Sequence, residues 1–375
     1  MHITKTGKSL RCGYTTGTCA TAATKASAIM LLTATPIATV TVETPSGTQL
    51  ILPVHDITIT PTSASCAIQK DSGDDPDITN GTYIYATVSK ISEAVVTIDG
   101  GVGIGRVTKA GLDQPVGNAA INSTPRATIT AAARSVAKQF GYAEGFSVII
   151  SAPDGEALAT KTYNSRLGIV GGLSILGTTG IVEPMSEDAI IDTIYAEINV
   201  AYAAGTRYLV LTPGNYGQDF IKATATFTAI KCSNYIGLAI DYAANKGFAG
   251  ILLIGHAGKF LKLACGMFNT HSKFGDCRAE VIATFAALAG ADTAVINALL
   301  DAATADQMIS IITQAGVAAE VLENVMTRIK FHLDHRVNSI SNSITTPIMI
   351  EAIMFTDKFG VVGTTSAATQ LLSFC

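Results

Sequence analysis

Three groups of residues in this chain of 375 could do chemistry. In the first, Arg11 precedes Tyr14-Thr15-Thr16-Gly17-Thr18, which stands before an Ala-rich run. Thr15, Thr16 or Thr18 is placed to cap a helix over about Cys19–Leu31. Hydroxyls and free N–H groups at a helix start form an anion site; ordinary capping of a buried helix is the other reading. In the second, KDSGDDPDITNG (Lys70–Gly81) sets Asp71, Asp74, Asp75 and Asp77 within seven positions. The ligand alternation and closing Glu of a calcium loop are missing. The cluster is therefore an Asx-turn loop, or else a general base or an acceptor for a cationic ligand.

The third group is glycine-rich. Gly100 to Gly105 carries a G-x-G spacing ahead of Arg106 and Lys109, with no helix directly after it. That is a weak dinucleotide fingerprint but a plausible anion cradle. In mid-chain, TYNSRLGIVGGLSILGTTGIVEPM (Thr162–Met185) has five glycines among Ile, Val and Leu, with Arg166 as its one cation. Apolar neighbours imply burial, and glycine implies close approach to a backbone. Three loops, Gly177-Thr178-Thr179-Gly180, Gly214-Asn215-Tyr216-Gly217 and Gly255-His256-Ala257-Gly258, are each expected at a strand's carboxyl end, where parallel sheets bind ligands. A polar junction, Asn269-Thr270-His271-Ser272-Lys273, follows. Asp74, Asp75, His256 and His271 are candidates for proton handling or ligand orientation, with a satisfied structural role as the alternative.

The elements that must position these groups fall into two styles. Before residue 145 the pattern alternates as strands do: a hairpin over residues 37–60, a strand over Ser65–Gln69, and strands over Tyr83–Ser89 and Ala94–Ile98. A helix starts near Asn122-Ser123-Thr124-Pro125-Arg126 and ends at Gly141, with Ile129, Ala133, Val136 and Phe140 on its apolar face. From Phe146 the pattern becomes short apolar strands (Ser147–Ile150, Tyr208–Leu211, Ile251–Ile254) alternating with amphipathic helices, as in a parallel α/β sheet. Residues 276–335 read as helical, and Ile348 to Val362 as a terminal hairpin. The expected architecture is an α+β domain over 1–145 with an anion- or substrate-binding face. A Rossmann-like α/β domain over 146–375 follows, with a helical part and hairpin tail.

Composition excludes other classes. No apolar run approaches the roughly 20 residues of a membrane span, and the start of the chain has no apolar signal core. A net charge of -4 without basic clusters argues against nucleic acid. Seven cysteines with no CxxC pair look like reduced thiols of a cytoplasmic protein. A homo-oligomer is left open, and no metal site is expected.

The blocks LRCGYTTGTCATAATKA, KDSGDDPDITNG, VTKAGLDQPVGNAAINSTPR, TYNSRLGIVGGLSILGTTGIVEPMSE, TPGNYG and GHAGKFLKLACGMFNTHSKFGDCR resemble the signature segments of the cobalt-precorrin-5B C-1 methyltransferase family, CbiD. The resemblance runs from about Leu10 to Arg278, with Ala110 standing where the family pattern has Pro. It implies methyl transfer from S-adenosylmethionine to carbon C-1 of a ring-contracted tetrapyrrole in anaerobic cobalamin biosynthesis, with cobalt present only as part of the substrate. The substrate's many carboxylates call for Arg, Lys and hydroxyls. Arg11, Thr15, Thr16, Thr18, Lys109, Arg126 and Arg166 lie inside the resembling blocks and suit that task. The methyl donor is expected on the glycine loops: Gly177, Thr178, Thr179, Gly180, Gly214, Asn215, Tyr216, Gly255 and His256. Substrate is expected between the two domains. Catalytic candidates are Asp74, Asp75 and His271. Two rivals stand beside this reading: a non-enzymatic corrinoid carrier, and a nucleotide-dependent kinase or dehydrogenase, though GxxxxGK[ST] is absent.

Overall fold

A computed structural model describes residues 1–5, 7–214, 229–340 and 347–375. The chain is a mixture of helices and sheets, and its contacts divide it into two units, Met1–Glu187 and Asp188–Cys375.

In the first unit a short N-terminal hairpin, His2–Lys5 with Lys8–Arg11, leads to helix α1 (Thr16–Thr33), which is buried along nearly its whole length. Its Ala, Gly, Ser and Thr residues explain how: small side chains let neighbours close in on every side. The hydroxyls are satisfied locally, Thr21 Oγ1 donating to Gly17 O at 2.9 Å and Thr24 Oγ1 to Ala20 O at 2.8 Å. After α1 comes the hairpin β1 (Thr39–Glu43) and β2 (Gln49–Pro53), and then a sheet. The sheet comprises β3 (His55–Ile59), β4 (Ser63–Gln69), β5 (Tyr83–Ile91), β6 (Val96–Gly100) and β7 (Gly145–Ser151), in the order β3-β4-β5-β7-β6. Helix α2 (Ser123–Gln139) and the sheet pack against α1. Ile129, Ala133 and Val136 are the buried side of α2, as their spacing predicts.

Strand β7 corrects one expectation. Its apolar run was read as opening the second half of the chain. It pairs antiparallel with β5 and parallel with β6, inside the first unit. A continuous apolar run reports a central strand, here with Phe146, Val148 and Ile150 buried and Ile149 half-buried; it does not report which sheet the strand joins. The contacts accordingly divide near residue 187 instead of 145.

The second unit holds the sheet of β8 (Tyr208–Thr212), β9 (Ile230–Lys231), β10 (Gly250–His256), β11 (Met349–Thr356) and β12 (Gly360–Thr364), ordered β9-β8-β10-β11-β12. Neighbours are parallel except β11 and β12, which form the expected terminal hairpin. Both faces are covered. Leu209, Leu211, Ile251 and Leu253 join a core with the helices over Glu187–Ala203, Ile236–Lys246, Arg278–Leu288 and Ala318–Ile340. Val210, Leu252, Ile254 and Phe355 face Ala368 and Leu371 of the last helix. Alternate residues of one strand thus feed two cores, which is why these strands read as unbroken apolar runs. No helix of the described residues is long and apolar enough to cross a membrane. The helix expected after Gly217 lies outside the described residues.

Candidate functional site

In the first unit, the start of α1 and the mid-chain glycine segment are bound to each other. Thr15 caps α1, its Oγ1 accepting from Thr18 N at 3.2 Å. Thr15 N donates to Gly180 O at 3.1 Å and Gly17 N to Leu176 O at 3.0 Å. Thr18 Oγ1 donates to Gly180 O at 2.7 Å, and Thr16 Oγ1 accepts from Leu176 N at 3.0 Å. All three threonines are buried. At this helix start Gly17 N is thus taken by a carbonyl of the chain and Thr18 N by the Thr15 hydroxyl, which is the capping geometry.

The same contacts relocate Gly177, Thr178, Thr179 and Gly180. They were expected at a strand's carboxyl end in an α/β sheet. Instead Ile181–Val182 pairs antiparallel with Gly13–Tyr14, drawing the segment onto α1. Gly177 has φ +132°, and a Cβ there would stand 2.4 Å from Thr15 Oγ1. Close approach was legible in the glycines, but the object approached is a threonine of the chain. Thr178 and Thr179 remain exposed. A shallow cleft beside this clamp is lined by Thr15, Thr18, Thr44, Pro45, Thr128 and Gly180.

The aspartate loop acts as a strap. Arg11 grips Asp71 with both guanidinium nitrogens, at 2.5 and 2.8 Å. That hydrogen bond holds the Asp71 carboxyl below its ordinary range. Asp74 Oδ2 accepts from Arg11 N at 2.6 Å, and Asp75 Oδ1 from Met185 N at 2.9 Å. Buried Lys70 donates to Asp77 Oδ2 at 2.6 Å and also to Ser72. Asp74 and Asp75, the candidate bases, thus tie down backbone N–H groups of the N-terminal strand and the mid-chain segment.

The cations separate into two classes. Arg126 is half-buried and donates to Ile121 O at 2.8 Å, Ile98 O at 3.1 Å and Ala119 O at 3.4 Å, and burial lowers its pKa. Arg106 is paired with Asp99 at 2.6 and 3.0 Å. The expected anion cradle around it is filled, since a Cβ on Gly103 would stand 1.8 Å from Ala152 O. By contrast, Lys109 and Arg166 are exposed and adjacent, Lys109 Nζ donating to Arg166 O at 3.3 Å. Among the described residues neither meets a carboxylate within 4.0 Å.

In the second unit, Gly214 follows β8, and Gly255 and His256 end β10. Those positions are at strand carboxyl ends, as expected. Asn215 and Tyr216 lie outside the described residues. His256 Nδ1 accepts from Gly258 N at 3.1 Å, capping the short helix Ala257–Leu263. His271 Nδ1 does the same for Lys273 N at 3.0 Å, at the turn Ser272–Phe274. Two residues that sequence reasoning passed over stand out here. Lys259 Nζ donates to Pro213 O at 2.5 Å and Ser233 O at 3.3 Å. Lys262, almost fully buried, donates to Gly275 O at 2.8 Å and Thr270 O at 3.3 Å, holding the turn that carries His271. The signal for both was a lysine three residues from another lysine in a segment otherwise buried. Among the described residues no three His, Cys, Asp or Glu side chains group as a metal site.

Comparison with known proteins places this geometry in a lineage. The CbiD family profile matches residues 3–184, and that of the CbiD C-terminal domain matches residues 269–366. The cobalt-precorrin-5B C(1)-methyltransferase of Ruminiclostridium cellulolyticum is 49% identical over 358 residues, covering 95% of this chain and 91% of that protein. The same-named protein of Tolumonas auensis is 41% identical, covering 98% of this chain and 96% of its own. A crystal structure of the cobalamin biosynthesis protein CbiD from Archaeoglobus fulgidus is 25% identical, with a TM-score of 0.40, covering 84% of this chain and 88% of that one. Sequence identity of this degree, sustained along both units, means that the chain belongs to the CbiD family.

Proposed function

We infer that this chain is an enzyme of cobalamin biosynthesis that methylates C-1 of cobalt-precorrin-5B, the reaction for which its relatives are named. The observation that carries the inference is 49% identity over 95% of the chain. S-adenosylmethionine is the methyl donor in this reading, and cobalt enters only within the substrate. The donor's S–CH3 bond breaks as the bond to the macrocycle carbon forms. Such an in-line displacement needs alignment and exclusion of water, and no covalent intermediate.

In this reading Lys109 and Arg166, with Arg11 beside them in role, hold acetate and propionate carboxylates of the macrocycle. Lys109 and Arg166 are exposed and have no carboxylate partner among the described residues, which supports this; Arg11 would share its guanidinium between Asp71 and the ligand. Thr15, Thr16, Thr18 and Arg126 contribute by holding the walls, since their polar atoms are engaged within the chain. Gly177, Thr178, Thr179 and Gly180 belong to the substrate side. The second unit is Rossmann-like in kind and takes the donor near Gly214, Gly255 and His256. Parallel strands with helices on both faces support that assignment. Asp74, Asp75 and His271 act as positioning groups.

The test is anaerobic incubation of the protein with cobalt-precorrin-5B and methyl-labelled S-adenosylmethionine. One label per macrocycle, at C-1, is expected. Label left wholly in the donor overturns the reading.

A further inference from the structure

The second unit's sheet contains a reversal. From β8 the chain moves outward to β9, then crosses back to β10 on the other side of β8. Connections leave β8 and β10 in opposite directions, which makes their carboxyl ends the switch point at which open parallel sheets bind ligands. Thr212-Pro213-Gly214 borders it from β8, and His256 to Lys259 from β10.

Lys259 spans this point. Its Nζ donates to Pro213 O, just past β8, and to Ser233 O, just past β9. A Cβ on Gly214 would stand 3.9 Å from Nζ, so Gly214 and the ammonium are neighbours. Two N–H groups are engaged, and a third has no partner among the described residues. No described carboxylate lies within 4.0 Å of Lys259 or of Lys262. Burial pushes the Lys259 pKa down; Cys232 opposes the shift, and Lys231 and Lys262 add to it. Beside it, Thr212 is fully buried and its hydroxyl has no partner among the described residues. The edge therefore holds one positive charge that nothing described in the chain neutralises.

We propose that Lys259 binds the amino-acid carboxylate of the methyl donor at the switch point between β8 and β10. This rests on the reading that the donor occupies the second unit. A carboxylate supplies the missing counter-ion and accepts the third N–H as a charge-assisted hydrogen bond. The Pro213 and Ser233 carbonyls aim the ammonium, so the contact is built before the ligand arrives.

Binding of S-adenosylhomocysteine and of 5′-methylthioadenosine, which lacks the amino-acid group, is measured by calorimetry on the full chain and on Lys259→Met. The Met variant should lose about tenfold or more in affinity for S-adenosylhomocysteine, as for a lost charged hydrogen bond, and bind methylthioadenosine within about twofold of the wild type. Lys259→Gln, which can still donate to the two carbonyls without a charge, should show the same selective loss. Equal S-adenosylhomocysteine affinity in wild type and variants overturns the carboxylate contact and leaves the donor reading standing. Loss of both ligands together also overturns it, because Lys259 then only supports the fold of the site. Failure of the wild type to bind S-adenosylhomocysteine sinks the donor reading itself.

Discussion

Thr18 Oγ1 donates to the carbonyl of Gly180 at 2.7 Å, across 162 positions of sequence. This bond fastens the mid-chain segment to the start of the most buried helix in the first unit. Gly180 has φ +80°, and a Cβ there would stand 2.8 Å from Thr44 Cβ and 2.9 Å from Thr18 Oγ1. Gly180→Ala should destabilise the first unit by about 1–3 kcal/mol through backbone strain alone, before the clash is counted. Thr18→Val keeps the volume and loses the hydrogen bonds of Thr18 Oγ1 with Gly180 O and Thr15 Oγ1, costing about 1–2 kcal/mol. Thermal unfolding measures both. A Gly180→Ala variant as stable as the wild type would show that the clamp contributes nothing.

Lys109 and Arg166 form an exposed cationic corner in the first unit. Lys109→Gln and Arg166→Gln should each raise KM for the macrocycle about threefold to tenfold, with kcat little changed, as expected for partly screened contacts with carboxylates. Adding salt should shrink the wild-type advantage. A KM indifferent to both changes would remove them from the binding surface.

Asp74 and Asp75 accept backbone N–H groups of Arg11 and Met185. Asp74→Asn and Asp75→Asn retain an acceptor oxygen, so turnover should fall less than about tenfold and keep its pH profile. Loss of a true general base costs about 10²- to 10⁴-fold. A loss of that size, with stability intact, would restore them as bases. His256→Asn together with His271→Asn also keeps cap acceptors, so kcat should fall less than about tenfold, with any weakening of donor contacts appearing in KM for the donor. A deep loss in kcat with unchanged stability would show imidazole chemistry.

Lys70 and Asp77 supply a pH dependence. Burial alone would raise the Asp77 pKa, but the charge and hydrogen bond of Lys70, helped by Thr79, outweigh it and leave the carboxyl lowered. A carboxyl whose folded pKa lies below its unfolded value of about 4 stabilises the fold above that value. The contribution is lost as pH falls through the folded pKa. Asp77→Asn should therefore lower Tm at neutral pH and flatten its decline between about pH 5 and 3. Parallel Tm curves for variant and wild type would contradict this.

Element type was legible for the longer elements. The helices beginning at Thr16 and Ser123, the hairpin of β1 and β2 and the apolar strands β8 and β10 follow from short-range patterns: caps, alternation and helical spacing. Family membership was legible too, because it lives in contiguous blocks. Sheet membership was not, and β7 shows why. Its run Ser147–Ile150 marks a central strand, but its partners β5 and β6 are chosen by pairing with segments 45 or more positions away. The candidate site divided along the same line. Thr15, Thr16, Thr18, Asp74 and Asp75 were recognised as polar groups at marked positions; the Thr15 hydroxyl caps its own helix, as expected, but Thr16, Thr18, Asp74 and Asp75 are each occupied by backbone from a distant segment. Residue type and spacing determined which groups could bind an anion or move a proton. Only the tertiary structure decided which of them the chain had already satisfied, because a hydrogen bond closed across the fold leaves no trace in local sequence. What remained open to ligand were Lys109, Arg166 and Lys259, cations with no described carboxylate beside them.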